Sequence, residues 1–369
     1  MSFVKEIMNM KKLNVALAIL GAAIMAGNAQ TSATTEPVGF VNVKITGSGS
    51  GTAKKLTYLS LPLLDKDLTI TGKTSGTITG VTSTTITDST AGWIAGALSA
   101  PATPFLIGIT SGAATGRIFH VASSAATSGA IGSAPSANTA TTLTISSLDT
   151  GSGISDLAAV GVAVGDGYQI YGCDTLSTAL GSPSTTGVLS GASSGVADSV
   201  VIVVNGTAST FFHNGARWTK VTVGSPDASN TPLLPYYGFS YARLGAADIN
   251  LTAIGTVPTI ARKTQIKNSG LTLVGQFFPA DSTLLSLGLQ NTPGWTSNAA
   301  SASADKVVLV SSTGSASTFW YTGSGWKKVT VGSPSADSTV IPAGSMIYVN
   351  KIGSASGFST YASALPYTL

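Results

Sequence analysis

Side chains able to act as nucleophiles, bases or soft metal ligands are scarce in this chain. Its 369 residues hold two histidines, His120 and His213, and one cysteine, Cys173. Nucleophilic catalysis needs a base beside the attacking Ser, Thr or Cys, and zinc needs three or four His, Cys or acidic ligands. Two imidazoles and a thiol scattered from 120 to 213 meet neither demand. Calcium needs only oxygen, and Asp65-Lys66-Asp67 with Asp149, Asp156 and Asp166 could supply it. No Asp-x-Asp-x-Asp-Gly loop is present, so calcium is a weak expectation and these acids read as turn formers. Residues 161–167 are glycine-rich but lack the Gly-Lys-Ser/Thr of a phosphate cradle. Paired carboxylates for glycoside hydrolysis depend on spatial separation, which leaves a secreted hydrolase as the least favoured class. The chemistry expected is therefore non-enzymatic.

Composition agrees. Charged residues make up 9% of the chain, against about 25% in ordinary soluble proteins. The formal charge is +4, and the densest basic pairs are Arg262-Lys263 and Lys327-Lys328. A nucleic-acid partner is not expected. A nearly neutral Ser/Thr surface has little charge repulsion to oppose self-association. With one cysteine, no intrachain disulfide can form, and Cys173 reads as a small core residue.

The amino end reads as a secretory leader. Lys5, Lys11 and Lys12 precede an apolar run from Leu13 to Met25, and Gly27-Asn28-Ala29 supplies small residues for cleavage. That run, about 13 residues, is shorter than the roughly 20 needed to span a bilayer. Cleavage after Ala29 leaves no lipid-accepting cysteine. The mature protein is expected outside the cytoplasm, extracellular or on the cell surface, with the periplasm as the alternative.

The elements that must position any site are strands. Short runs of Val, Ile, Thr and aromatics, bounded by Gly, Ser, Asn or Pro, recur at 38–45, 56–63, 77–87, 105–110, 117–121, 141–146, 168–171 and 200–204. Asn205-Gly206, Asn214-Gly215 and Ser111-Gly112 sit at hairpin spacing. Segments 123–139 and 184–197 read as loops. Val41, Val43 and Ile45 alternate with Asn42 and Lys44, as in a strand with one buried face. Residues 30–45 could form an arm that adds a strand to a neighbouring subunit through that trio.

An internal repeat at an offset of 107–108 residues is the strongest signal. Gln169–Leu176 lies over Gln276–Thr283, Ala197-Asp198 over Ala304-Asp305, and Ser209-Thr210-Phe211-Phe212 over Ser317-Thr318-Phe319-Trp320. Trp218 begins a stretch that matches the one begun by Trp326, each running to Gly-Ser-Pro, and Leu244-Gly245 lies over Ile352-Gly353. His213 falls on Tyr321, which favours packing or surface for that imidazole. His120, opposite Phe119 in its strand, is expected to face solvent. The fold expected is all-β, with sandwich-like units: a leader at 1–29, an arm or first strand at 30–45, a β-rich segment at 46–165, and repeats at 166–245 and 246–369. Trp218 and Trp326 are the candidate ligand-stacking residues, with core packing as the stronger reading of a position kept in both repeats.

Glu36-Pro37-Val38-Gly39-Phe40, Thr110-Ser111-Gly112-Ala113-Ala114-Thr115-Gly116-Arg117, Val164-Gly165-Asp166, Asp174-Thr175-Leu176 and Gly325-Trp326 carry a resemblance. The chain resembles a family of uncharacterised secreted, signal-bearing β-rich proteins that occurs as multiple paralogues in Verrucomicrobia and relatives. The resemblance implies export and family identity, and no site residues. The leading expectation is a structural protein of the surface that forms a homo-oligomer or polymer (layer, sheath or filament). The alternative is a carbohydrate-binding or adhesive module whose partner is a surface glycan.

Overall fold

The computed structural model describes residues 37–66, 68–99, 104–122, 138–146, 154, 156–204, 207–311 and 315–368. The leader, the Asn205-Gly206 turn, Asp67, Asp149 and most of the expected loop at 123–139 lie outside the described residues. One compact unit spans Val38–Leu369. It is nearly all β, and the longest α-helix among the described residues is Leu176–Leu180, capped by the Thr175 hydroxyl.

The duplication is visible in strand order. One five-stranded sheet runs Trp218–Lys220, Thr207–His213, Ser199–Val204, Phe239–Arg243, Lys55–Leu59. The other runs Trp326–Lys328, Ala316–Tyr321, Lys306–Val310, Met346–Lys351, Gly270–Gly275 in the same order. Each repeat adds a two-stranded ribbon, Val38–Ile45 with Ile249–Thr256 in the first and Arg262–Lys267 with Phe358–Ser363 in the second. The first unit thus draws two strands from upstream of residue 60 and the rest from beyond residue 172.

Between those parts the chain leaves at Asp65 and returns at Gly172, where the Gly172 N–H donates to the Asp65 carbonyl at 2.8 Å. The loop so closed is an inserted lobe. Its four-stranded sheet joins Ser75–Thr77, Gly167–Gly172, Phe105–Ile109 and Ile118–His120, and a three-stranded sheet joins Gly80–Val81, Thr85–Thr87 and Thr142–Thr144. Ile86, Trp93, Ile107, Phe119, Leu143 and Ile170 form a core of their own. The two repeats instead share one larger core that includes Leu59, Trp218, Tyr241, Phe278, Trp326 and Val349. The Gln169–Tyr171 stretch that resembles Gln276–Phe278 belongs to the inserted lobe. The topological counterpart of Gly270–Gly275 is Lys55–Leu59.

Burial of apolar residues supplies most of the stabilisation, at roughly 25 cal/mol per Å² removed from water. Two duplicated acids fix the repeats internally. Asp198 is fully buried and accepts from the backbone N–H of Leu189, Leu244 and Gly245, from the Tyr241 hydroxyl and from the Arg243 guanidinium. Asp305 accepts from the N–H of Thr296 and Ile352, with Lys351 standing where the first repeat has Arg243. Removing one partner of such a buried pair leaves the other charge uncompensated, which typically costs about 3–5 kcal/mol. Asp198→Ala should therefore lower the unfolding free energy measured by urea titration by an amount in that range. A change under about 1 kcal/mol would contradict this account of the first repeat.

Candidate functional site

The two candidate stacking residues are inside. Trp218 and Trp326 are 1% and 0% exposed. The Trp218 indole N–H donates to the Gly181 carbonyl at 2.9 Å, and that of Trp326 to Gln290 Oε1 at 3.3 Å. Each ring packs on an aromatic from the preceding strand, His213 edge-on at 5.7 Å in the first repeat and Tyr321 tilted at 5.5 Å in the second. Neither indole has a face open to a sugar. His213 is buried aromatic packing, as Tyr321's position suggested, and burial lowers its pKa.

His120 differs from expectation. It is 3% exposed and hydrogen-bonded through Nδ1 to Ser146 Oγ at 2.8 Å. Alternation gave it the face opposite Phe119, but that face is covered by the segment at 138–146, whose Ser146 N–H donates to the His120 carbonyl. Both faces of Ile118–His120 are dry, so alternation carries no solvent side there. Cys173 is buried, as expected. Asp156 and Asp166 accept from the backbone N–H of Ala158 and Ala163, which is turn formation. Among the described residues no three His, Cys, Asp or Glu side chains gather as a metal site would require.

Val41, Val43 and Ile45 are placed on the inner face of the ribbon formed with Ile249–Thr256. Val41 and Ile45 are buried and Val43 is half-buried against the core. Val41 and Ile45 are spent on this chain's own interior, and Val43 divides its surface between that interior and a groove beside the strand. The outer face is Val38, Phe40, Asn42 and Lys44, and Phe40 lies directly across from Ile254. Val38, Phe40 and Ile254 are 71%, 66% and 69% exposed.

The strand's backbone is more informative than its side chains. Thr256 donates its N–H to the Leu64 carbonyl, away from Val38–Ile45. In an antiparallel pair, inward and outward N–H groups alternate. Counting from the Val38–Thr256 pair, Phe40, Asn42 and Lys44 turn their N–H and C=O groups to the far edge. No described strand pairs with that edge.

That strand forms one wall of a groove of about 570 Å³ between the repeats. Asn42, Val43 and Lys44 form this wall, and Thr57, Tyr58 and Leu59 continue it. The second repeat supplies the opposite side through Leu309, Ser317, Phe319 and Lys328, and the floor through residues 339–346. The lining mixes apolar side chains with hydroxyls, one amide and two ammonium groups. Among the described lining residues there is no carboxylate, imidazole or thiol, and the groups present offer apolar contact and hydrogen bonding. Residue types along the chain could not reveal this site, because its walls lie up to 300 residues apart in sequence.

No family model, curated protein or solved structure matches the chain.

The buried His120 gives the molecule a measurable acid response. Burial pushes its pKa down to about 4 from 6.5. In the unfolded chain it binds a proton near pH 6.5, so stability is lost as pH falls from about 6.5 towards 4. A gap of that size is worth about 3 kcal/mol when fully developed. His120→Gln should flatten this part of the pH profile of the urea midpoint. A variant profile as steep as the wild type's would contradict the assignment.

Proposed function

We propose that the mature chain is an exported, non-enzymatic structural protein that self-associates at the cell surface or in an extracellular assembly. The observation that carries this reading is the outer face of the Val38–Ile45 ribbon. There a valine, a phenylalanine and an isoleucine stand open to water beside a strand edge that no described strand pairs. Burying each such side chain is worth roughly 1.5–3 kcal/mol, and a surface this poor in charge does little to oppose contact. The turns after Trp218 and Trp326 add further apolar points, since Val223 and Val331 are each 99% exposed at matching positions. The glycan-binding alternative relied on exposed indoles, and their burial removes that support. Export rests on the leader at 1–29.

The test is light scattering with size exclusion on the protein beginning at Gln30, followed by electron microscopy. Wild type should form dimers or larger species as concentration rises. Phe40→Ser with Ile254→Ser should weaken association at least about tenfold, the equivalent of 1.4 kcal/mol. A wild type that stays monomeric at high concentration would overturn the reading.

A further inference from the structure

The two repeats are joined reciprocally. Ser60, which follows the edge strand of the first sheet, donates its N–H to Gly344 at 2.7 Å, and Gly275, at the end of the equivalent strand, donates its N–H to Tyr236 at 3.3 Å. Each repeat therefore presents to the other an equivalent groove. The groove just described has a counterpart on the opposite side, walled by Lys263, Thr264 and Gln265 in place of Asn42, Val43 and Lys44.

At its wall that counterpart is covered. Only about 10 Å³ remains beside Lys263–Gln265. Two things cover it. Tyr236 and Tyr237 stand where the second repeat has Ala343-Gly344-Ser345, and the inserted lobe sends in Arg117, Ile118 and Phe119. The insertion also satisfies the strand edge: Lys263 donates its N–H to the Gly116 carbonyl, in a parallel bridge between Arg117 and Lys263. Asn42 holds Lys263's place in the open groove, with its N–H turned to the same edge. The second repeat has no insertion to send, because Phe278 and Ser282 are separated only by Pro279-Ala280-Asp281.

We infer that the open groove is a strand-acceptor site whose occupant is the Val38–Ile45 edge of a second copy of this chain. The fold itself shows which ligand such a groove takes, namely an extended segment bonded to the wall strand through its backbone. A second copy offers an extended segment whose outward N–H and C=O groups are likewise unpaired among the described residues. Pairing the same edge about a two-fold axis places each copy's strand in the other's groove, a self-complementary and closed contact. It also sets Phe40 and Ile254 of both copies on one continuous outer face. The chain's remaining polar segment at 31–37 supplies no large apolar side chain for this groove. This inference rests on the self-association proposed above and specifies its seam.

Two substitutions test it on the mature full chain. Asn42→Pro removes one outward N–H while leaving the inward ladder to Ile249–Thr256 intact. Ala343→Tyr puts a ring where Tyr236 fills the counterpart groove. Circular dichroism and the thermal midpoint establish that each variant is folded, and sedimentation equilibrium gives the dimer dissociation constant. Both folded variants should raise that constant at least tenfold. If wild type associates and both folded variants associate as tightly, the seam is elsewhere; the inference fails while self-association stands. If wild type is monomeric throughout, the second copy is not the occupant and both fail.

Discussion

The molecule depends on the joint between its repeats. Ser60 and Gly275, at the ends of the Lys55–Leu59 and Gly270–Gly275 strands, bond across to the other half. Each finds a carbonyl in the other repeat's 236–238 or 344–345 turn. Close approach there requires small residues. A Cβ on Gly275 would sit 2.8 Å from that of Ser60, and one on Gly238 would run into the Met346 side chain. Gly344, at φ 72° and with its missing Cβ 2.7 Å from Val43, meets both a backbone and a space requirement that only glycine satisfies. The shared core around Leu59, Phe239, Val274 and Ile347 forms because this joint holds the sheets together.

The joint explains why one duplication gives two unlike grooves. Equivalent walls and floors arise on both sides from the same strand order, but the first repeat is interrupted at its Asp65–Gly172 neck and the second is not. The interrupted repeat carries a lobe with its own core, and that lobe spends one strand end, at Arg117–Phe119, closing the nearby groove and satisfying the edge of Arg262–Lys267. The opposite groove keeps its volume and its open edge. An unpaired strand edge in a soluble β-protein is usually blunted by charge, proline or a cover. Here Lys44 supplies one charge, while Phe40 and Val38 act against it.

Much of the fold was legible in the chain, and the reasons are local. Val41, Val43 and Ile45 alternate with polar residues because one face of their strand is dry, and the strand appears where that pattern places it. The Trp218 and Trp326 stretches match because each ring fills the same hole beside an aromatic at 213 or 321. Other features depend on contacts that no window contains. The likeness of Gln169–Tyr171 to Gln276–Phe278 continues the repeat across a neck whose other half is Asp65, so the insertion is hidden. His120 follows strand alternation correctly, yet residues 138–146 cover its outward face. The groove joins residues 42–44, 57–59 and 309–346, and its openness rests on a contrast between Tyr236-Tyr237 and Ala343-Gly344-Ser345 that acquires meaning only when the halves are superposed.

The central claim is that the Asn42 edge is open in one copy and covered by another, whereas the equivalent Lys263 edge is always covered by the chain itself. Amide hydrogen exchange resolved to single residues, followed across protein concentration, addresses this directly. The account predicts that the Lys263 amide is protected at every concentration, while those of Phe40, Asn42 and Lys44 exchange fast when dilute and slow in step with association. Fast exchange at Asn42 in fully associated protein, or slow exchange in the dilute monomer, would contradict it.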